Sequence, residues 1–275
     1  MSVKDFVPPV LIRFSRRVTG LSGNREYSSY YDAERQCTAD AYQNTELCSM
    51  IAVKTVIHSK NLVKRPFEIN ATNIFLASAV LQHLQRHSAK SINILDIGGA
   101  CGAHYFETRR LIPETVSLNW FVVETDQMVR SALANKLDND ELHFLESLGE
   151  FKGNAEFIHS SCTLHYVPDP YGLTDQILSK KPSTLLFNRM MFNQNNRDLI
   201  TVQKSFLSDN GPGPLPDGFK NKIISYPHIT LSYEKFNSMV KNSGYYPECV
   251  FEDLSGSHPI GNEKIIGRGL LYLKN

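Results

Sequence analysis

The stretch that decides the fold is Ser91-Ile92-Asn93-Ile94-Leu95-Asp96-Ile97-Gly98-Gly99-Ala100-Cys101-Gly102. Its first part is a short apolar run that carries an acid, Asp96, near its end, and a glycine-rich turn follows. Such a run, bounded by Ser91 and by glycine, is typical of a parallel strand covered on both faces. The glycines allow a tight turn and a close approach of backbone to ligand. We therefore predict a ligand-binding loop at the carboxyl end of this strand.

Further apolar runs alternate with helical patterns along the chain, and we predict that they are strands at Asn119–Glu124, Glu141–Leu145, Ala155–Ser160 and Ser183–Phe187. Alternation of strand and helix indicates a doubly wound, mostly parallel sheet with right-handed crossovers. A helix capped by Ser232 precedes two closing strands at about Glu248–Glu252 and Ile265–Leu273. We predict an α/β, Rossmann-like fold whose seven-stranded sheet ends in an antiparallel C-terminal hairpin.

Residues 1–69 are predicted to be a tail and a helical extension that packs on the core. The pattern indicates one imperfect helix from Tyr27 to about Asn61 and a second at Thr72–His87, whose apolar face would be Ile74, Ala77, Leu81 and Leu84. Residues 1–25 mix apolar and basic side chains, so a tail lying on the domain and a contact with a membrane surface both stay open.

Residues 70–275 are predicted to be the Rossmann-like domain. An insertion at about 192–230 breaks the alternation of strand and helix with a glycine- and proline-rich loop, and it carries a possible extra strand at Ile223–Ile229. Because substrate loops often lie in such segments, we expect this insertion on the substrate side of the domain.

Composition excludes several classes of protein. The chain has 275 residues, 41% hydrophobic and 21% charged, which is typical of a folded globular protein. The net charge of +1 argues against nucleic acid as the main partner. The five cysteines form no C-x-x-C pair and no run approaches a membrane helix, so we expect a reducing, cytoplasmic location. No His, Cys or Asp cluster has metal-ligand spacing, so we expect no metal.

The loop residues favour S-adenosylmethionine over NAD. A nicotinamide motif needs a second glycine where this chain has Ala100, so that a pyrophosphate can approach the backbone. S-adenosylmethionine has no phosphate and is cationic, which suits Asp96 before the loop. Glu124, at the end of the second strand, is placed to accept both ribose hydroxyls, a role that nicotinamide proteins share. The turn after the third strand, Glu146-Ser147-Leu148, is placed to meet the adenine.

These motifs, in this order, resemble a class I S-adenosylmethionine-dependent methyltransferase. More narrowly, the chain resembles a largely uncharacterised methyltransferase family often met among polysaccharide-biosynthesis genes. The resemblance is carried by residues 27–33, 95–102, 105–106, 122–124, 144–148, 160–171, 200–203 and 224–227. It implies a Rossmann-like fold and S-adenosylmethionine as cofactor, with cofactor-binding positions at Asp96, Gly98, Gly99, Ala100, Gly102 and Glu124. It supplies no proven acceptor.

The remaining candidate residues flank the predicted carboxyl ends of the strands. Ser160 and Ser161 are expected to contact the methionine end of the cofactor or to cap the next turn. His104 and Tyr105, after the glycine loop, are expected to cover that same end. His165 is the best candidate for a general base, with Tyr166 beside it, but both residue types often only pack at such positions.

Three residues are candidates for binding the acceptor. Arg189 follows the fifth strand and suits an anionic acceptor or a structural salt bridge. Tyr226 and His228 lie in the insertion, where they line a substrate loop or simply belong to an edge strand.

Three functions follow, in order of preference. The first is O-methylation of a small-molecule or sugar-linked acceptor. The second is a non-catalytic cofactor-binding scaffold in glycan assembly, which the weakness of every candidate base keeps open. The third is an NAD-dependent oxidoreductase.

Overall fold

The computed structural model describes residues 25–38, 41–253, 259–260 and 263–275, so the expectations for the first 24 residues lie outside it. The strands are β1 (Ser91–Ile97), β2 (Ser117–Val123), β3 (Leu142–Leu145), β4 (Phe157–Ser161), β5 (Thr184–Asn193), β6 (Leu199–Phe206), β7 (Ile223–Ser232), β8 (Tyr245–Glu252), β9 (Pro259–Ile260) and β10 (Glu263–Lys274). The helices are α1 (Tyr30–Glu34), α2 (Thr45–Asn61), α3 (Ala71–Arg86), α4 (Ala103–Arg109), α5 (Asp126–Ala134), α6 (Pro170–Ser179) and α7 (Tyr233–Asn242).

The central sheet has the order β3-β2-β1-β4-β5-β10-β8. Strands β1 to β5 are parallel, and β10 runs antiparallel between β5 and β8. The predicted Rossmann-like fold with a closing antiparallel hairpin is therefore confirmed. The chain reverses its winding direction at β1, whose neighbours are β2 and β4, and ligands of open α/β sheets bind at the carboxyl ends of strands at such a point.

Both faces of the sheet are covered, as the apolar run of β1 predicts. Leu95 and Ile97 point into a core shared with α6 and α7, while Ile92 and Ile94 point into a second core shared with α3. Ile92, Ile94 and Leu95 are fully buried. The two cores fix β1 in the middle of the sheet and hold its carboxyl end, with the glycine loop, at the crevice.

The single N-terminal helix predicted over residues 27–61 is wrong, because the segment contains two helix starts. Ser29 caps α1 through the backbone N–H of Asp32, and Asn44 caps α2 through the backbone N–H groups of Glu46 and Leu47. A cap side chain satisfies amides that a continuous helix would bind within itself, so each cap marks a new helix.

Helix α3 lies where it was predicted, but its buried face is rotated. Ile74 and Leu81 are 49% and 40% exposed, whereas the face packed on the sheet consists of Leu76, Ala77, Val80, His83 and Leu84. The position of His83 explains the difference, since its Nδ1 lies 2.8 Å from Oγ1 of Thr184 in β5. The buried hydrogen bond draws a polar residue inward and leaves two apolar ones in solvent.

The insertion at 192–230 holds an antiparallel pair, β6 and β7, of which the sequence indicated only β7. The end of β7 joins β5 in parallel through Leu231 and Ser232. Helix α2 packs against this pair, and the buried Lys54 ammonium donates to the carbonyl oxygens of Ser208, at 2.9 Å, and Asn210, at 2.6 Å. The name "roof" is used below for α2 together with β6 and β7.

Among the described helices, none is both long and apolar enough to cross a membrane.

Candidate functional site

The glycine loop turns through three left-handed residues, Gly98 (φ +72°), Ala100 (φ +50°) and Gly102 (φ +83°). A Cβ on Gly98 would lie 2.0 Å from Oγ1 of Thr163, and one on Gly99 would lie 2.3 Å from Oδ2 of Asp96. The loop backbone therefore lies directly on these two side chains. Ala100 takes a conformation that costs an L-residue about 1 kcal/mol, and such strain is concentrated at functional sites.

Asp96 lies beneath the loop and is fully buried. Its Oδ1 accepts from Nδ1 of His159 at 2.9 Å, while its Oδ2 accepts from Nδ1 of His104 at 2.9 Å and from the indole of Trp120 at 3.3 Å. Burial alone would raise the pKa of Asp96, but the two imidazoles outweigh burial and hold the pKa well below its usual range. Asp96 is thus ionised and supports the loop from below. The sequence predicted a direct contact with the cofactor, but the carboxylate is buried beneath the loop and binds other side chains instead.

The pKa values of the two histidines on Asp96 are shifted in opposite directions. The Asn188 amide donates to Nε2 of His159 at 3.3 Å, which leaves the ring proton on Nδ1 and makes this buried ring neutral. Burial lowers the pKa of His159 in spite of Asp96, whereas Asp96 overcomes burial and raises the pKa of His104. The His104 side chain is 19% exposed, so the imidazole whose pKa Asp96 raises lies at the rim of the site.

Asp96, His104 and His159 also form a group that could hold a metal ion, because their donor atoms lie within 4.8 Å of one another. It was found among the described residues. The spacing along the sequence gave no sign of this group, because the sheet register brings its members together. Each Asp96 oxygen already accepts a ring N–H, and one of them accepts two. We therefore describe the group as a hydrogen-bonded ion pair.

Glu124 follows β2 and reaches back to the loop, as the sequence predicts. Its Oε1 accepts from the backbone N–H of Ala100 at 3.1 Å, and its Oε2 accepts from that of Thr125 at 2.9 Å. Burial raises the pKa of Glu124, and the two amides partly offset this. A carboxylate thus stands at the crevice beside the loop, with its outer lone pairs available to a ligand.

The turn after β3 lies next to this carboxylate, since the Glu124 amide donates to the Leu145 carbonyl at 3.0 Å. Glu146 and Ser147 are exposed, and both contact the carboxylate of Glu150. Leu148 is 7% exposed and packs in the core that contains Ile97 and Val123. The structure brings this predicted adenine turn to the same edge as the loop.

Ser160 and Ser161 end β4 beside the loop, and Ser160 pairs with Ile97 in register. The hydroxyl oxygens of both are buried and have no hydrogen-bond partner among the described residues. Buried hydroxyls without partners are rare in folded proteins, and a bound ligand is one way to satisfy them. Tyr105, by contrast, turns away from the loop: its hydroxyl donates to Glu141 at 2.9 Å, at the amino end of β3. We do not assign Tyr105 to the cofactor.

His165 has no nitrogen available for chemistry in this structure. Its Nδ1 donates to the carbonyl of Ile229 at 2.7 Å, and its Nε2 accepts from the amide of Met191 at 2.8 Å. Full burial lowers the pKa of His165 to about 4. The ring joins β5 and β7 through the turn that follows β4, which corresponds to the packed role that the sequence left open.

Tyr166, predicted beside the base, and the acceptor candidates Tyr226 and His228 lie at or in the roof. Tyr166 donates to Oε1 of Gln203 at 2.9 Å, and the Tyr226 ring stacks on Tyr42 with centroids 4.2 Å apart. His228 is 3% exposed and stacks on His165. Tyr166, Tyr226 and His228 are therefore brought together, but as packed side chains and not on an open surface.

Arg189 alone among the predicted acceptor residues is exposed. It lies at a β-bulge: Met190 pairs with Arg268 and Phe187 with Leu270, so Asn188 and Arg189 together face Gly269. Arg189 has a left-handed backbone, φ +54°. Bulges beside active sites redirect side chains. Here the bulge interrupts the alternation of side chains between the two faces of β5, so Arg189 does not follow it.

Sequence reasoning named His104, beside Tyr105, as a residue expected to cover the amino-acid end of the cofactor, but it missed His159 as a site residue. His104 follows the glycine loop directly, and its signal was only that position. His159 gave none, because nothing in the sequence shows that it faces Asp96 across the β1–β4 pair.

Several solved structures have a similar overall fold. A S-adenosylmethionine-dependent methyltransferase from Clostridium acetobutylicum is 11% identical, with 76% of this chain and 93% of that chain covered and a TM-score of 0.43. The CcbJ methyltransferase from Streptomyces caelestis is 9% identical, with 82% and 98% covered and a TM-score of 0.46. An amino pentose methyltransferase from Micromonospora echinaspora, with S-adenosylmethionine bound, is 10% identical, with 75% and 92% covered and a TM-score of 0.47. No protein-family model matches the sequence, and neither does any curated protein.

Proposed function

We propose that this chain is an S-adenosylmethionine-dependent methyltransferase that methylates a hydroxyl group of a small-molecule or sugar-linked acceptor. One observation carries the choice of cofactor: the Ala100 amide donates to the Glu124 carboxylate. A dinucleotide needs the loop amides for its pyrophosphate, and here the amide of Ala100 is already used by Glu124. A cationic, phosphate-free cofactor is instead attracted by Glu124.

The described residues fit such a cofactor. The backbone of Gly98, Gly99, Ala100 and Gly102 would hold it against the sheet, and the outer lone pairs of Glu124 would accept its ribose hydroxyls. The turn at Glu146-Ser147-Leu148 would border the adenine, and the unpartnered hydroxyls of Ser160 and Ser161 would meet the methionine end. When bound, S-adenosylmethionine supplies an electrophilic methyl group for displacement at carbon.

The contribution of the chain to such a reaction is mostly placement. The glycine loop would fix the cofactor and the roof would border the acceptor, and placement of this kind accounts for much of the rate gain in transfer reactions. The link to sugar-linked acceptors rests on the sequence resemblance alone. A reducing, cytoplasmic location is proposed from the five cysteines, all of which are free thiols.

Calorimetry tests the cofactor assignment. We expect S-adenosylhomocysteine and S-adenosylmethionine to bind and NAD not to bind. The variant Glu124→Ala should lose about 1–3 kcal/mol of binding free energy, the range for a hydrogen bond to a charged group. The control is Glu114→Ala, an exposed acid before β2, which should bind like the parent. Preferential binding of NAD would overturn the proposal.

In a second candidate function, the chain binds the cofactor but does not transfer its methyl group. The observation in its favour is that both nitrogens of His165 are used in structural hydrogen bonds. A scaffold protein would bind S-adenosylhomocysteine but transfer no label from methyl-labelled S-adenosylmethionine to glycan-containing cell extracts. Transfer of label to any acceptor in such an extract would exclude this alternative.

A further inference from the structure

We propose that Asn188, together with Ser161, binds the α-ammonium group of the cofactor at the carboxyl ends of β4 and β5. The inference rests on the proposed function and deepens it, because it assigns one group of the cofactor to a side chain of β5 for which the sequence predicted no role. Two oxygen atoms carry the inference. Oγ of Ser161 and Oδ1 of Asn188 are both buried, and neither has a hydrogen-bond partner among the described residues.

The two side chains are neighbours on one face of the sheet. Ser161 lies directly opposite Asn188 in the parallel pairing of β4 with β5, where strands are about 4.8 Å apart. Side chains alternate between the faces of a strand, so His159, two residues before Ser161, points to the same face. Asp96 lies opposite His159 in β1. The two unpartnered oxygens therefore belong to the same layer of side chains as the carboxylate beneath the glycine loop.

Hydrogen bonds determine which end of the Asn188 amide is unpartnered. Asp96 accepts from Nδ1 of His159 at 2.9 Å, so Nε2 of this neutral ring carries a lone pair, and that lone pair faces the Asn188 amide at 3.3 Å. Only the NH₂ end of an amide can donate to a lone pair, so Oδ1 is the end turned away from His159. Because His159 belongs to β4, the side chain of Asn188 leans from β5 over β4, the strand next to β1 and its loop.

The chemistry of the two oxygens selects an ammonium group. An amide oxygen only accepts hydrogen bonds and a serine hydroxyl can accept them, whereas an ammonium donates three and accepts none. The methionine carboxylate does not fit, because its lone pairs would face the lone pairs of Oδ1. Successive hydrogen bonds in a buried row polarise one another, so the charge of Asp96 makes Oδ1 of Asn188 a stronger acceptor than an isolated amide oxygen.

This arrangement also gives Asp96 a role toward a cationic ligand. Its two oxygens already accept from His104, His159 and Trp120, so the carboxylate has little capacity left for an ammonium. The row from Asp96 through His159 to Asn188 carries its electrostatic effect from beneath the loop to the end of β5. Asn188 and Ser161 would contact the ligand, while Asp96 and His159 are positioning residues.

Calorimetry with two compounds tests the assignment. S-adenosylhomocysteine carries the α-ammonium group, and its deaminated analogue lacks only that group. We expect the parent to bind the analogue at least about tenfold more weakly. Ser161→Ala and Asn188→Leu should each weaken S-adenosylhomocysteine by about tenfold, in line with loss of a hydrogen bond to a charged group, and leave the affinity for the analogue within about twofold of the parent value.

Two variants of the same chemistry are controls. Thr108→Val removes another buried hydroxyl without a partner, at the end of α4, and Asn119→Leu removes an amide that bonds Asn93 at 2.9 Å in the first half of β2. Neither should change either affinity. Urea unfolding of the ligand-free Ser161→Ala protein should show no loss of stability, because the Ser161 hydroxyl makes no hydrogen bond there.

Parent-like binding of S-adenosylhomocysteine by Ser161→Ala and Asn188→Leu would overturn the assignment. Equal weakening of S-adenosylhomocysteine and of the analogue would also overturn it, because the lost contact would then not involve the ammonium. If Asn188→Leu does not fold, Ser161→Ala decides alone. A parent protein that binds both compounds equally would refute this assignment only, whereas a parent that binds neither would refute the proposed function as well.

Discussion

At the scale of single residues, the site depends on Asp96, which sequence and structure describe differently. The sequence places an acid at the end of a buried strand and predicts a direct contact with a cationic ligand. In the structure this carboxylate holds two imidazoles and an indole under the loop. Its effect on a ligand is therefore indirect: it fixes the loop and raises the pKa of His104.

Replacement of Asp96 by Asn should cost stability as well as binding. An amide keeps the shape but loses the charge, and its NH₂ group must face one of the ring N–H donors. Removal of one partner of a buried ion pair typically costs 3–5 kcal/mol, so we expect the free energy of unfolding to fall by about 3 kcal/mol. Urea unfolding measures this, with the exposed Asp138→Asn as control. A loss no larger than that of the control would contradict the buried ion pair.

The features that could not be predicted from the sequence all depend on contacts with distant parts of the chain. Asp96, Glu124, Ser160 and the glycines follow from local sequence, because each stands at the end of an apolar run. The partners of Asp96 do not, since His159 meets it only through the register of β1 with β4. The orientation of Tyr105 and the second hydrogen bond of His165 depend in the same way on distant residues, Glu141 and Met191.

At the scale of elements, the roof is the part of the molecule that the sequence describes least well. The strands of the central sheet were predictable because they are apolar and bounded by turn residues. Strand β6 was not, because its second half, Gln203-Lys204-Ser205, is polar and partly exposed. It becomes a strand through its pairing with β7 along eight residue pairs, from Leu199 with Thr230 to Phe206 with Ile223.

Lys54 joins the two parts of the roof, and its replacement should loosen them. Its buried ammonium satisfies two carbonyls of the turn after β6, so Lys54→Met leaves both unpaired. We expect a loss of about 1–3 kcal/mol and faster hydrogen exchange in β6 and β7 than in β1. Lys60→Met, on an exposed position of the same helix, is the control. Unchanged exchange in β6 and β7 would show that Lys54 does not hold the roof.

At the scale of the whole molecule, three buried histidines make stability depend on pH. Burial lowers the pKa of His83 and of His165 to about 4, and it also lowers the pKa of His159. In the unfolded chain these groups titrate near about 6.5. Below that pH the unfolded chain binds protons that the folded chain excludes, so stability falls as the pH drops from about 6.5 towards 4.

The variant His165→Gln should flatten this dependence. It removes one group that titrates only in the unfolded chain, so the slope of unfolding free energy against pH between about 4 and 6.5 should fall by up to about 1.4 kcal/mol per pH unit. Urea unfolding at several pH values measures the slope. The exposed Gln176→Ala, which removes no titrating group, is the control and should keep the parent slope. An unchanged slope in His165→Gln would mean that His165 is charged in the folded protein.

The hydrogen bond between Trp120 and Asp96 determines where the intrinsic fluorescence of the protein originates. Trp120 is the only tryptophan of the chain, and it is fully buried with its indole N–H on the carboxylate beneath the glycine loop. The intrinsic tryptophan emission of the protein therefore comes from a buried fluorophore beneath the glycine loop. Titrations, stopped-flow experiments and unfolding curves can all be read from this native chromophore without a label.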